Sequence, residues 1–116
     1  MNIELKVLDD RYGSTWPLPD YAKPGDAGID LRAAGIEESG YRAPLGDSGP
    51  FLNGVCIFEP GNCGLITTGL SIHIADPGYV GLIVPRSGLG HRHGLILGNG
   101  TGVIDSSFTG EIKVSL

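Results

Sequence analysis

Residues 63–84 read CGLITTGLSIHIADPGYVGLIV, and the parsing of this stretch decides the fold class. Its apolar residues come in short bursts rich in Ile, Val and Thr, broken by Gly69 and by the turn signal Asp76-Pro77-Gly78. β-Branched residues in runs of six or so, bounded by Gly and Pro, are the signature of strands. Cys63–Thr68, Leu70–Ala75 and Tyr79–Val84 therefore read as three strands. Outward from this centre the pattern continues, with strands expected at Leu52–Phe58, Leu95–Leu97 and Glu111–Leu116. Near the start, Ile3–Leu8 (IELKVL) alternates apolar and charged residues, as a half-buried strand does. Turn signals fall at EPGN and SGLGHRHG, and no window carries an apolar stripe of helical period. Pro17, Pro19 and Pro24 make 12–24 an extended connection, with Trp16 as its anchor. Residues 24–33, PGDAGIDLRA, read as a turn running into a short strand. The polar, glycine-rich 35–50, GIEESGYRAPLGDSGP, reads as an exposed, mobile loop. Short strands at this spacing predict an all-β sandwich or barrel, in a single domain spanning 1–116.

Composition narrows the function classes. The formal charge is −5, so a broad nucleic-acid surface, which needs a basic stripe, is not expected. Small anionic ligands remain open, because backbone amides with one or two basic residues hold phosphate in an acidic protein. No 18-residue apolar run and no basic-then-apolar leader is present, which predicts no membrane partner and a cytoplasmic location. Cys56 and Cys63, seven apart with no His at ligand spacing, read as core thiols in a reducing compartment.

Three constellations carry candidate chemistry. In 98–110, GNGTGVIDSSFTG, four glycines surround the apolar pair Val103-Ile104, which leads into Asp105. The apolar pair predicts a strand end holding a carboxylate on a rigid element. Phe108 offers a flat apolar face, and the Asn99 amide can both donate and accept. Such a set suits a sugar or a nucleobase; the same residue types also build a simple hairpin with an Asx turn. In PGDAGIDL, Asp26 and Asp30 are four apart across a glycine turn. Two carboxylates are too few for a protein cage around a divalent ion, so magnesium there would need water and phosphate oxygens. An Asx turn opening a strand is the alternative. In 85–94, PRSGLGHRHG, an arginine and a serine precede a glycine turn, which fits a phosphate nest. His91 and His93 would point to opposite faces of a strand, so a two-histidine metal site is not expected.

Taken in this order, PGDAGIDL, PRSGLGHRHG and GNGTGVIDSSFTGEIKV resemble the first three motifs of the trimeric dUTPase family. The run TTGLSIHIADPGYVGLIVPRSGL is similar to that family's central strands. The likeness covers most of the chain except about 35–58. It implies a jelly-roll β fold, a homotrimer with sites at subunit interfaces, and Mg²⁺-assisted cleavage of dUTP to dUMP and pyrophosphate. Carried over by position, Asp105 would be the general base and would touch the deoxyribose 3′-hydroxyl. Phe108 stands where the family usually has a tyrosine under the sugar; it keeps the steric exclusion of a ribose and loses the phenol. Asn99 with Gly102, Val103 and Ile104 would meet the uracil edge, mostly through backbone groups. Arg86, Ser87 and Gly88 would hold phosphates from a neighbouring subunit. Asp30 would act on magnesium through water, and Lys113 matches a position near the nucleotide.

The family's fourth motif, a strand with a glutamine, and its fifth, a glycine-rich arm, would both follow Leu116. The sequence is thus expected to be a jelly roll incomplete at its C-terminus. A non-catalytic nucleotide-binding or regulatory module, or an inactive fragment, is the alternative to a working hydrolase. A dCTP deaminase, which shares fold and motifs, would need a further carboxylate beside PRSGL, and none is expected there.

Overall fold

The computed structural model describes residues 2–38, 41–44, 51–52, 55–56, 58 and 60–116. In chain order the elements are β1 (Glu4–Val7), β2 (Gly35–Glu38), β3 (Tyr41–Pro44), β4 (Phe51–Leu52), β5 (Val55–Cys56), β6 (Leu65–His73), β7 (Gly81–Ile83), α1 (Ser87–His93), β8 (Gly102–Ile104) and β9 (Glu111–Ser115). The all-β reading holds, with one short helix added. Among the described residues no helix is long and apolar enough to cross a membrane.

β6 organises the molecule. Along one edge it pairs antiparallel with β9; β1 takes its second half at Leu70–His73 and β2 its first half at Leu65–Thr67. β3 extends this sheet beyond β2. The sequence reading split this strand into Cys63–Thr68 and Leu70–Ala75; the structure runs it through. The reason is Gly69, whose φ of 71° lets the backbone bulge without breaking. Between Thr67 and Ser71 the register against β9 slips, Thr67 facing Lys113 and Ser71 facing Glu111. The bulge is pinned on both sides: Leu8 N–H donates to Gly69 O at 2.7 Å. Gly69 N–H donates to Glu111 Oε1 at 2.9 Å.

The period-2 alternation of β6 sorts its side chains. Ile66, Thr68, Leu70 and Ile72 line an open cleft of about 980 Å³, facing Ile83 and Ile104 of the β7–β8 ribbon. Ile36 and Ile66 are buried against each other, with Phe58 and Leu116 packed on them. Thr68 is fully buried, and its hydroxyl donates to Ile112 O at 2.7 Å, so the polar group carries no desolvation penalty unpaid. The β7–β8 ribbon uses reciprocal glycines. Gly81 pairs with Ile104 and Gly102 with Ile83, and a Cβ on Gly102 would lie 2.9 Å from Ile83 Cβ.

The connection at 12–24 is anchored as expected. Trp16 packs edge-on against Tyr12 with centroids 5.2 Å apart, and the Arg11 guanidinium lies 4.0 Å above the indole. Arg11 also binds Asp9 through Nε at 2.9 Å and reaches Ala34 O at 2.6 Å. The hydrogen bond to Asp9 holds its guanidinium above the ordinary value. Tyr12 is buried and donates its hydroxyl to Thr68 O at 3.1 Å.

Several expectations need correction. Residues 35–50 are not simply a loop, since β2 and β3 form a hairpin within them; 39–40 and 45–50 lie outside the described residues. β2 carries a single core residue, Ile36, between glycine and charge, so its alternation is too short to register in the sequence. Leu52–Phe58 is not one strand, because Leu52 pairs with Val55 in a tight β4–β5 hairpin. The Asn53-Gly54 dipeptide in the sequence is the hairpin signal that the apolar pattern concealed. Residues 95–97 and 26–33 lack ladder pairing. The turn at 87–93 is helix α1, ended by Gly94 in the left-handed conformation at φ 68°. Glycines at 88 and 90 hide it from any propensity reading, while His91, Arg92 and His93 complement the dipole of its last turn. Cys63 is an exposed free thiol rather than a core one; the Cys56 side chain lies outside the described set.

Candidate active site

The candidate carboxylate sits where the sequence placed it, at the end of a strand. β8 ends at Ile104 and delivers Asp105 into a tight turn, Asp105-Ser106-Ser107-Phe108. The turn is closed by the Phe108 N–H donating to Asp105 O at 3.0 Å. One hydrogen bond therefore ties the carboxylate residue to the aromatic one. The Phe108 ring lies over Gly110, where a Cβ would come within 2.9 Å of Phe108 Cζ. Gly110 is thus required by close approach: any side chain there would lift the ring. Asp105 is exposed and Phe108 is 37% exposed, so both can meet a ligand.

The turn is also held from below. Ala75 N–H donates to Ser106 O at 2.9 Å, and the buried Ser71 hydroxyl donates to Thr109 O at 2.8 Å. Neither residue was found by sequence reasoning. A backbone amide leaves no trace in a sequence, and a serine in a strand carries no signal of its partner.

Asn99 and Gly100 form the lead-in to β8. Gly100 adopts φ 75° and donates to Leu97 O at 3.0 Å, and Thr101 N–H donates to Asn99 O at 2.9 Å. Gly98 N–H donates to Ser115 O at 3.0 Å, fastening this end to β9. The Asn99 side chain is exposed. Among the described strands β8 pairs only with β7, so the second edge of Gly102, Val103 and Ile104 keeps unpaired backbone groups. A planar hydrogen-bonding ring could pair with that edge as another strand would.

The phosphate candidates form a separate group. Arg86 Nε lies 3.6 Å from Asp30 Oδ1, joining the first and second motifs in space. Both side chains are largely exposed, 76% and 61%, so this is a loose pair that a ligand can open. Ser87 and Gly88 begin α1 directly after Arg86. The carboxylate beside Arg86 is Asp30, which belongs to the phosphate group and not to the β8 edge, so it supplies no proton shuttle at a base ring. Asp26 behaves as the turn alternative foresaw: its Oδ2 accepts Lys23 N–H at 2.9 Å. No group of three or more His, Cys, Asp or Glu that could hold a metal occurs among the described residues. A lone exposed Asp30 carboxylate fits magnesium only as one oxygen ligand or through water.

Lys113 is engaged elsewhere. Its Nζ lies 2.6 Å from Glu37 Oε2 on β2, an ion pair that reaches across β6.

Strand register separates the two groups. Asp105 leaves the ribbon at the Gly81–Ile104 end, whereas Arg86 lies three residues beyond Ile83, at the Gly102 end. At about 3.3 Å per residue the two Cα positions stand on the order of 15–20 Å apart. One nucleotide cannot easily place its reacting phosphorus at both.

The family model described as dUTPase matches residues 53–116. The chain is 49% identical over 114 residues to the deoxyuridine 5′-triphosphate nucleotidohydrolase of Tolumonas auensis, an overlap of 98% of this chain and 64% of that protein. It is 50% identical over 113 residues to the protein of the same name from Pseudomonas putida, covering 97% of this chain and 64% of the relative. The chain thus spans somewhat less than two thirds of the length of these curated relatives. Among solved structures it resembles a mutant dUTPase from phage phi11 of S. aureus, described with a structural Mg(II) ion. There the TM-score is 0.69 at 23% identity, over 99% of this chain and 58% of that one. A Staphylococcus phage 80alpha dUTPase mutant with dUpNHpp gives a TM-score of 0.68 at 23% identity, over 97% of this chain and 56% of that one. These two likenesses carry the fold.

Proposed function

Because the chain belongs to the dUTPase family, we propose that it contributes to hydrolysis of dUTP to dUMP and pyrophosphate, with Asp105 as the general base. The observation that supports this most is the hydrogen-bonded turn that brings Asp105 and Phe108 together at the end of β8, beside a free backbone edge. The edge of Gly102, Val103 and Ile104, with the Asn99 amide, binds and orients uracil. Phe108 packs on the deoxyribose and leaves no room for a 2′-hydroxyl. Asp105 takes a proton from the water that attacks the α-phosphorus. Holding that water in line with the α-phosphorus is part of the same role.

Arg86, Ser87 and Gly88 bind the phosphates. The separation along the β7–β8 ribbon supports a shared site, in which these three come from a neighbouring subunit of a homotrimer. When bound, magnesium supplies charge neutralisation along the triphosphate. Asp30 would hold it through water, and the open Asp30–Arg86 pair leaves both partners free for that exchange. Lys113 serves the nucleotide only if its pair with Glu37 opens. An exposed free thiol at Cys63 suits a reducing cytoplasm.

The test is pyrophosphate release from dUTP with and without Mg²⁺, alongside dCTP, dTTP and UTP. Asp105→Asn is expected to abolish turnover and leave binding of a non-hydrolysable dUTP analogue largely intact. Near wild-type turnover by that variant would remove Asp105 from the role of base. Binding of the analogue without any turnover by the wild-type chain would favour a regulatory module. Ammonia release from dCTP would favour the deaminase reading.

A further inference from the structure

We infer that Ser71, in the second half of β6, and Ala75, two residues beyond its end, are positioning residues that set the Asp105–Phe108 turn in its working geometry. The inference rests on the proposed role of that turn. Among the described residues Ala75 is the one non-glycine with a positive φ, 62°. A Cβ makes the left-handed region unfavourable, and such strain persists only where surrounding contacts over-determine it. The contact in question is visible. In this conformation Ala75 N–H points at Ser106 O, 2.9 Å away, on the residue next to the candidate base. Directly after it, Asp76 Oδ1 accepts Gly78 N–H at 2.8 Å and Asp76 O accepts Tyr79 N–H at 3.1 Å. Those two bonds fix the chain that follows and leave Ala75 little freedom to relax.

Ser71 grips the other end of the turn. Its hydroxyl is buried and needs a partner, and it donates to Thr109 O at 2.8 Å. Its backbone is held on both sides in the sheet, paired with Lys6 on one side and Glu111 on the other. Two hydrogen bonds, at Ser106 and Thr109, thus bracket Phe108 and support Asp105 from β6 and the segment that leaves it. Neither donor touches substrate. Both act through the turn, which is how a carboxylate on an exposed loop can be held to the tolerance that catalysis requires.

The test compares Ser71→Ala, Ser71→Thr, Ala75→Val and Ala75→Gly in the full chain by two readouts. The first is amide hydrogen exchange at Phe108, measured against the β9 amides. The second is the ratio of kcat/KM for dUTP over UTP, which does not depend on the fraction of active protein. Removing the Ser71 hydroxyl is expected to speed exchange at Phe108 about fivefold, the effect of one ordinary hydrogen bond. It should lower the dUTP/UTP ratio by a similar factor, with β9 exchange unchanged. Ala75→Val, which forces a β-branched residue into the left-handed region, should do the same. Ser71→Thr keeps the hydroxyl and Ala75→Gly accepts the backbone, so both should stay near wild type. Phe108 exchange that is unchanged in both disruptive variants would overturn the inference. Exchange that rises equally at Phe108 and β9 would overturn it too, as a merely structural effect. If the wild-type chain released no pyrophosphate from dUTP, the proposed function would fail, and the exchange readout would still decide this point.

Discussion

Replacing Gly69 with alanine should cost this fold clearly more than the same change at Gly61. Two terms add. At φ 71° an alanine occupies the left-handed region, which costs an L-residue about 1–2 kcal/mol. Its Cβ would also stand 2.5 Å from Asp9 Cβ and 3.5 Å from Ala34 Cβ. Asp9 cannot retreat without strain, because it accepts hydrogen bonds from Arg11 at 2.6 and 2.9 Å while Arg11 is held on Ala34 O and Trp16. Overpacking of this kind costs about 1–3 kcal/mol. Against these, loss of glycine's freedom in the unfolded chain returns about 0.4–1 kcal/mol. The net expectation is a loss of about 2–3 kcal/mol, a large part of the roughly 5–15 kcal/mol of a typical domain. Gly61→Ala is the control, since Gly61 has φ 85° and nothing within 4 Å of its would-be Cβ. Urea denaturation followed by circular dichroism compares the two midpoints at constant m-value. If Gly69→Ala loses no more stability than Gly61→Ala, the clash with Asp9 is not real and the account of the bulge is wrong.

Other outcomes follow from single contacts. Gly110→Ala should displace the Phe108 ring and raise KM for dUTP several-fold with little change in the unfolding midpoint; steady-state kinetics and a melt decide this together. Burial pushes the Tyr12 phenol above its ordinary value of 10.0. Its stabilising contribution is therefore complete below that ordinary value and is lost as pH rises through the higher folded-state value. Tyr12→Phe should cost about 1 kcal/mol near neutrality and flatten that alkaline loss, as read by denaturation at pH 8 and pH 11. The Lys113–Glu37 pair is partly exposed, so a double-mutant cycle should give a coupling of about 0.2–1 kcal/mol that shrinks in molar salt. A coupling that salt leaves untouched would mean the pair acts by packing and not by charge.

What was legible in the sequence was what depends on side-chain identity. Asp105, Phe108, Asn99 and Arg86 were singled out by side-chain type for the chemistry proposed above, and the structure puts Asp105 and Phe108 on one turn. The all-β class was legible too, because Ile, Val and Thr in short bursts leave few alternatives. The helix α1 was not, because its seven residues include two glycines and a single leucine, and context overrides propensity in so short a segment. β2 was missed for a related reason: among its described side chains only Ile36 is buried and apolar, and Glu37 pairs with Lys113.

The supports of the candidate site were illegible for a deeper reason. The left-handed Ala75, the Ser106 carbonyl it binds, the unpaired edge of β8 and the bulge at Gly69 are all properties of backbone, which every residue possesses. Gly69 gave a partial clue, since a glycine inside a strand pattern often marks a bulge. Alanine gives none, because nothing in its side chain favours positive φ. The consequence reaches function. A relative could keep every motif letter and still misplace Asp105, if a substitution at 71 or 75 let the turn drift. Motif residues state which chemistry is available; the strand that carries Ser71 and leads into Ala75 determines whether it is delivered.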